Sequence, residues 1–313
     1  MSRLPMYPAA QAPPPLTITS PSNPAVKHCV KLRSSGSYRR QQGSVLLVGQ
    51  DLVLEVAATG RTQVRALVGL EGAELPELAT ERRVAVSEAV MKKLAGLESV
   101  SRATLAAEVA LPPTADLLAA PAGTLSRVLA LDGVQDPGNL GTLLRSAAAL
   151  GWQAVVLLPG CCDPWNDKAL KASRGAPFRL PVAQCSLEEW EQLVAAQGLV
   201  ALAAEPDRGG AGGPGQQHAQ QQRQQQEQRQ VAAAGGLADT AARLAALRVC
   251  LCLGAEGQGV SPGVRQLCRT VSIPQAAGQM ESLNAAAAGA ALMFALSAGA
   301  APLLAELAAV GEE

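Results

Sequence analysis

Aromatic residues are the scarcest class in this chain: two Phe, two Tyr and three Trp, 2% of 313 residues. With 48% hydrophobic residues overall, the core has to be made of Ala, Leu and Val, and Ala-rich helices on small strands follow. Histidine is limited to His28 and His218, and the Cys250-Leu251-Cys252 spacing is too short for the usual zinc knuckle. No metal centre is therefore expected. Seven cysteines, an odd number without a regular framework, read as buried thiols in an intracellular, reducing compartment; chloroplast, mitochondrion and cytoplasm all stay open. No secretory apolar region stands at the N-terminus. Residues 284–305 carry no charge, but the run is mostly Ala and Gly and holds Asn284 and Pro302, which suits a packed helix and not a membrane span.

Net charge is also absent, and a balance of zero would argue against a nucleic-acid partner if it were evenly spread. Through residue 65, however, eight basic residues face only Asp51 and Glu55. Such an asymmetry suits phosphate neutralisation, with Lys27, Lys31, Arg33, Arg39 and Arg40 as candidate nucleic-acid contacts through phosphate; a solvated basic helix is the plainer alternative. Tyr38 is the one aromatic among residues 27–40, so recognition by shape and backbone is expected over base stacking.

Residues 1–15, proline-rich and acid-free, read as a disordered tail or equally as an organelle presequence. A basic helix is expected from about Ala25, then strands at 44–49 and 64–70 around a helix at 50–58, then a further strand and helix through Leu97. This gives a small α/β module over 16–110, followed by a proline-rich linker at 111–123. The remainder, 124–305, alternates strand and helix, the pattern of a parallel sheet covered on both faces. A Gly- and Gln-rich segment at 207–236 interrupts it and has a composition that cannot bury a core, so it reads as a disordered insertion.

Three stretches in the second half share one design, in which a strand end runs into a polar or glycine-rich turn and then a helix. They are LDGVQDPGNLGTLLRSAAALG at 131–151, LGAEGQGVS at 253–261 and IPQAAGQMESLN at 273–284. Turns of this kind lie beyond the carboxyl ends of strands, where ligands bind, so one site built from three loops is expected. On a helix over 140–150, Leu140, Leu143, Leu144 and Ala147 share a face and leave Arg145 on the other. Asn139 sits at that helix's mouth, as a cap or a ligand contact. The phosphate-cradling pattern GxxxxGK[ST] is missing, and Gly254, Gly257 and Gly259 stand in the wrong order for a dinucleotide turn.

In combination the three stretches resemble the SpoU (TrmH-like) branch of the SPOUT RNA methyltransferases. Asn139-x-Gly141-x-x-x-Arg145 is similar to the first motif of that family, Leu253-Gly254-x-Glu256-Gly257-x-Gly259 to the second, and Ile273-Pro274 with Ser282-Leu283-Asn284 to the third. The stretch ITSPSNPAVKHCVKLR looks like the start of the family's substrate-binding domain, and KASRGAPFRLPV like its mid-domain segment. The third loop departs from the pattern: Gln275 stands where Met is usual.

The resemblance implies a C-terminal parallel-sheet SPOUT domain with a trefoil knot, preceded by a small α/β, ribosomal-protein-like RNA-binding domain. It also implies S-adenosylmethionine as cofactor and a homodimer acting on a ribose 2'-hydroxyl of structured RNA, ribosomal over transfer RNA. Catalytic positions would be Arg145, Asn139, Glu256, Ser282 and Asn284; cofactor contacts would come from Leu253, Gly254, Gly259, Ile273 and Leu283. Glu256 is expected to pair with Arg145 or with a group of a partner chain. A non-catalytic RNA-binding assembly factor with the same fold is the competing class.

Overall fold

The computed structural model describes residues 16–205, 246–274, 283–297 and 300. The tail at 1–15, the Gly/Gln-rich segment at 207–236 and Ser282 lie outside the described residues. The chain divides into two compact units whose main boundary falls between Pro112 and Pro113.

The first unit begins with strand β1 (Leu16–Ile18), helices α1 (Pro24–Ser34) and α2 (Gly36–Gln42), strand β2 (Ser44–Val48) and helix α3 (Gln50–Ala57). Strands β3 (Val64–Leu70) and β4 (Thr80–Val86), helix α4 (Glu88–Ala95) and strand β5 (Leu105–Ala110) complete it. Its sheet runs β1-β4-β3-β5-β2, parallel at β1, β4 and β3, with β5 antiparallel to both β3 and β2. Local chemistry sets α1: Asn23 accepts the Ala25 amide at 2.8 Å and Pro24 occupies the first position, where its missing N–H costs nothing. Val26 and Leu32 of α1 pack with Leu46, Val68, Val90 and Met91 in this unit's core. Strand β5 is a difference from the sequence reading, which assigns no element to residues 99–110. LAAEVA is Ala-rich with a central glutamate and has no strand-like alternation, yet it pairs on both sides and is buried almost throughout.

The second unit holds strand β6 (Arg127–Asp132), helix α5 (Pro137–Ala149), strand β7 (Ala154–Leu157), helix α6 (Asp167–Ser173), strand β8 (Val182–Gln184), helix α7 (Leu187–Gln197) and strand β9 (Val200–Ala204). Strand β10 (Val249–Gly254), helix α8 (Pro262–Leu267), strand β11 (Arg269–Val271) and helix α9 (Ala285–Ala295) follow. The six strands form a wholly parallel sheet in the order β11-β9-β10-β6-β7-β8. Central strands β6 and β10 are buried along their lengths, as expected where both faces are covered. On one face Leu140, Leu143, Leu144 and Ala147 of α5 pack with Ala286, Leu292 and Met293 of α9; on the other Trp190 of α7 and Val264 of α8 cover Cys250 and Cys252. Helix α9 comes close enough that a side chain on Gly289 would strike Leu143 and Leu253. It is 11 residues long, and no helix among the described residues is long and apolar enough to cross a membrane.

Candidate active site

The register of the sheet places the site. Gly254, the last residue of β10, lies beside Asp132, the last of β6, so the turns following these central strands open at one carboxyl edge. After β6 the chain passes Gly133 and enters α5 through Asp136-Pro137. Asp136 is the cap: its Oδ1 accepts the Asn139 amide at 2.8 Å, and Lys168 Nζ lies 3.3 Å from Oδ2. Those two donors, the Asn139 amide first, hold the Asp136 carboxyl below the ordinary carboxylate range. Asn139 therefore does not cap α5. The helix starts at Pro137, whose fixed φ suits a first position, and Asn139 stands inside the first turn with its side chain free to reach out.

After β10 the chain folds over itself. Gly259 donates to Ala255 O at 2.9 Å, Gly257 and Gly259 take positive φ, and the loop's far end is tied back when Ser261 N donates to Asp132 Oδ2 at 2.6 Å. Gly254 tolerates this fold because it has no Cβ; one built there would lie 1.9 Å from the Gly259 carbonyl carbon. Asp132, only 8% exposed, thus joins the two central turns. Asp132, Asp136, Lys168 and Ser261 were not among the residues singled out from sequence, although Asp-Pro before an apolar helix is a readable cap signal.

The three motifs converge on Glu256. Its Oε1 accepts Asn139 Nδ2 at 3.0 Å and Asn284 Nδ2 at 2.7 Å, and Asn284 Nδ2 also lies 3.2 Å from Asn139 Oδ1. Asn284 has a second task, since its Oδ1 accepts the amides of Ala286 and Ala287 and so caps α9. That cap fixes which way the amide faces and aims Nδ2 at Glu256. Three loops distant in sequence are tied through one carboxylate oxygen. The expected pairing of Glu256 with Arg145 is not what forms: the two asparagines take the carboxylate, and Arg145, on the far side of α5, is exposed with no hydrogen bond or ion pair among the described residues.

The cofactor candidates separate by environment. Leu253 is buried against α9, so it can offer only backbone. Ile273 is half-buried against the α5 side of the core, and Leu283 is 45% exposed beside Asn284. A cavity of about 480 Å³ opens among the loops, lined by Asp132, Asp136, Asn139, Gly254, Glu256, Gly259 and Ala285. Its size lies in the roughly 300–1,000 Å³ range of small-molecule sites. Three carboxylates line it, one of them (Asp136) paired with Lys168, and among the described residues no cationic side chain does, an electrostatic setting that favours a positively charged ligand such as a sulfonium.

In the first unit, Lys27, Lys31 and Arg40 are exposed. Arg39 is not available to RNA: it is 3% exposed, and its Nη1 donates to the carbonyls of Leu32 (2.8 Å) and Arg33 (3.0 Å) at the end of α1. A guanidinium buried there satisfies last-turn carbonyls that have no partner within the helix. Arg33 is also turned inward, its guanidinium occupying the space where a side chain on Gly96 would stand.

A parallel sheet with a cavity at its carboxyl edge, closed by a folded glycine loop and crossed by polar side chains from three turns, defines an α/β ligand-binding enzyme. Comparison with known proteins makes this particular. The profile described as SpoU rRNA Methylase family matches residues 126–294. An uncharacterized tRNA/rRNA methyltransferase of Synechocystis is 31% identical over 292 residues, covering 89% of this chain and 92% of that protein. The mitochondrial rRNA methyltransferase 3A of Danio rerio is 34% identical over 160 residues, 47% of this chain but only 35% of that protein's length. Among solved structures, an AdoMet-bound rRNA methyltransferase from Sinorhizobium meliloti superposes with TM-score 0.68 at 21% identity, covering 90% of this chain and 96% of that one. An RNA 2'-O ribose methyltransferase superposes with TM-score 0.66 at 25% identity, covering 92% and 100%. The chain belongs to the SpoU rRNA methylase family.

Proposed function

We propose that the chain methylates a ribose 2'-hydroxyl of structured RNA, ribosomal RNA first, with S-adenosylmethionine as methyl donor. The observation that carries this is the meeting of Asn139, Glu256 and Asn284 at the carboxyl edge of the sheet. The cofactor supplies an electrophilic methyl on a sulfonium, and the backbone of Gly254, Gly259, Ile273 and Leu283 is suited to hold it. The 2'-oxygen gains the methyl as the sulfur loses it, and the hydroxyl proton must go to an acceptor. Positioning can account for several kcal/mol of such a displacement, on the order of the effective-molarity gains of oriented reactants.

The chain's residues supply that positioning. Asn139 and Asn284 hold Glu256 through Oε1 and leave Oε2 to accept a donor from the ligand. Arg145, exposed and without a partner among the described residues, clamps the phosphate next to the target ribose and stabilises the developing alkoxide; that phosphate takes the proton. A guanidinium with pKa above about 12 is itself a poor base. Ser282, in the third loop, belongs to the same reading, as do the trefoil knot and a homodimer. Residues 16–110 meet the RNA, with Lys27, Lys31 and Arg40 on phosphates, and 124–305 carry out the transfer. Seven free thiols suit a reducing compartment.

The test is transfer of labelled methyl from S-adenosylmethionine to total RNA. Wild type should label it, Arg145→Ala should not, and Arg145→Lys should also fail because a point charge does not replace a bidentate fork. Full activity in Arg145→Lys would remove the phosphate clamp.

A further inference from the structure

We propose that the first unit carries a pocket for one unpaired guanine base of the RNA, an inference that rests on the RNA-methyltransferase reading above. A cavity of about 720 Å³ lies between α1 and the sheet face made by β4, β3 and β5. The sheet register explains why it is there. Ala66 on β3 lies between Arg82 on β4 and Glu108 on β5, and its methyl leaves open the space that a larger residue would fill. Beyond it Val68 and Val84 form an apolar floor, and Ala25 and Cys29 of α1 form the wall. A flat ring with apolar faces and one polar edge matches this shape.

Glu108 supplies the reader of that edge. It is 5% exposed, and a carboxylate so placed needs partners. Its Oε1 has two, Ser44 Oγ at 2.9 Å and His28 Nε2 at 3.2 Å; His28 is itself held through Nδ1 to Tyr38 Oη at 2.9 Å. Among the described residues its Oε2 has only Arg82 Nη2 at 3.5 Å, at the limit of a hydrogen bond, from a side chain 62% exposed. One oxygen of a rigidly held, buried carboxylate is thus left for a donor arriving through the cavity mouth. Guanine presents adjacent N1–H and N2–H donors that can converge on the single open oxygen Oε2, whereas adenine and cytosine can place only one N–H there. Arg65 and Arg82 at the lining and Lys27 on α1 outnumber Glu81 beside them and give the phosphates on either side of an extruded base a net cationic setting.

The test uses the full chain and a nine-nucleotide uridine RNA with one central guanosine, against the same RNA carrying inosine or adenosine there. Guanosine should bind at least about tenfold tighter, the scale of one base-edge contact. Glu108→Gln and the space-filling Ala66→Leu should each abolish the preference while leaving the residual, salt-sensitive binding. The wild-type comparison of three RNAs needs no variant and so does not depend on either one folding. Equal affinity for the three RNAs overturns the pocket, and so does guanosine 5'-monophosphate binding as tightly as the oligonucleotide, which would make this a free-nucleotide site. Methyl transfer to ribosomal RNA is run in parallel. Transfer without guanosine preference removes the pocket and keeps the proposed function; neither transfer nor RNA binding removes both.

Discussion

Asp136 shows how much of this site depends on single side chains. Its carboxylate caps α5 and, through the Asn139 amide, sets where Asn139 begins its reach toward Glu256. Asp136→Ala should cost about 1 kcal/mol, the usual worth of such a cap, and thermal unfolding would show it. The carboxyl is held below its ordinary value of 3.8 in the fold, so its contribution is fully present above that pH and is lost as pH falls through the lower folded value. Stability of wild type and Asp136→Ala should therefore converge on acidification below about pH 4. In the first unit, Arg39 and Lys31 make a second pair of expectations. Arg39→Ala removes buried hydrogen bonds and should destabilise by about 1–3 kcal/mol, whereas Lys31→Ala, which loses an exposed contact over the Tyr38 ring, should cost at most about 1 kcal/mol and weaken RNA binding with a shallower salt dependence. Nothing in KLRSSGSYRRQQ tells the buried arginine from its exposed neighbours. The distinction is made by the turn at Ser35, which carries α2 back across the end of α1.

At the scale of elements, the loop after β10 is held by the absence of a side chain at Gly254 and by the Asp132–Ser261 contact. Gly254→Ala places a methyl against backbone, not against a side chain that could swing away. Methyl transfer should fall by at least about tenfold while the core, and hence the unfolding midpoint, changes less. Proteolysis within residues 254–261 should accelerate. A loop that kept its activity and protease resistance would show that its fold does not matter to catalysis. The sequence made most elements of the second unit legible, because short apolar strands alternate with amphipathic helices of ordinary length. Helix α7, at 187–197, agrees to the residue. Strand β5 was hidden by Ala-rich composition, and the buried face of α9 by its uniformity: in AAAAGAALMFA nearly every position is small or apolar, so no stripe marks Gly289 as the contact.

For the whole molecule, the motifs mark the three loops of the site, since each ties a polar residue to a polar or glycine-rich stretch that follows a strand. The partners within the site were not legible. Sequence suggests that Glu256 pairs with Arg145 or with a group of a partner chain, and only the parallel register of β6 and β10 with the cap of α9 shows that two asparagines take its Oε1. In the function proposed above Arg145 is the group that meets the substrate, and with it goes the claim that the acceptor is a ribose next to a phosphate. The measurement that tests this most directly is the chemical identity of the product: RNA labelled by wild-type protein from S-adenosylmethionine, digested to nucleosides and separated by mass. The account predicts the methyl on the ribose of one nucleotide, with its 3' phosphodiester resistant to alkaline cleavage because the 2'-oxygen is blocked. A methyl found on a base, with the neighbouring bond still alkali-labile, would contradict it.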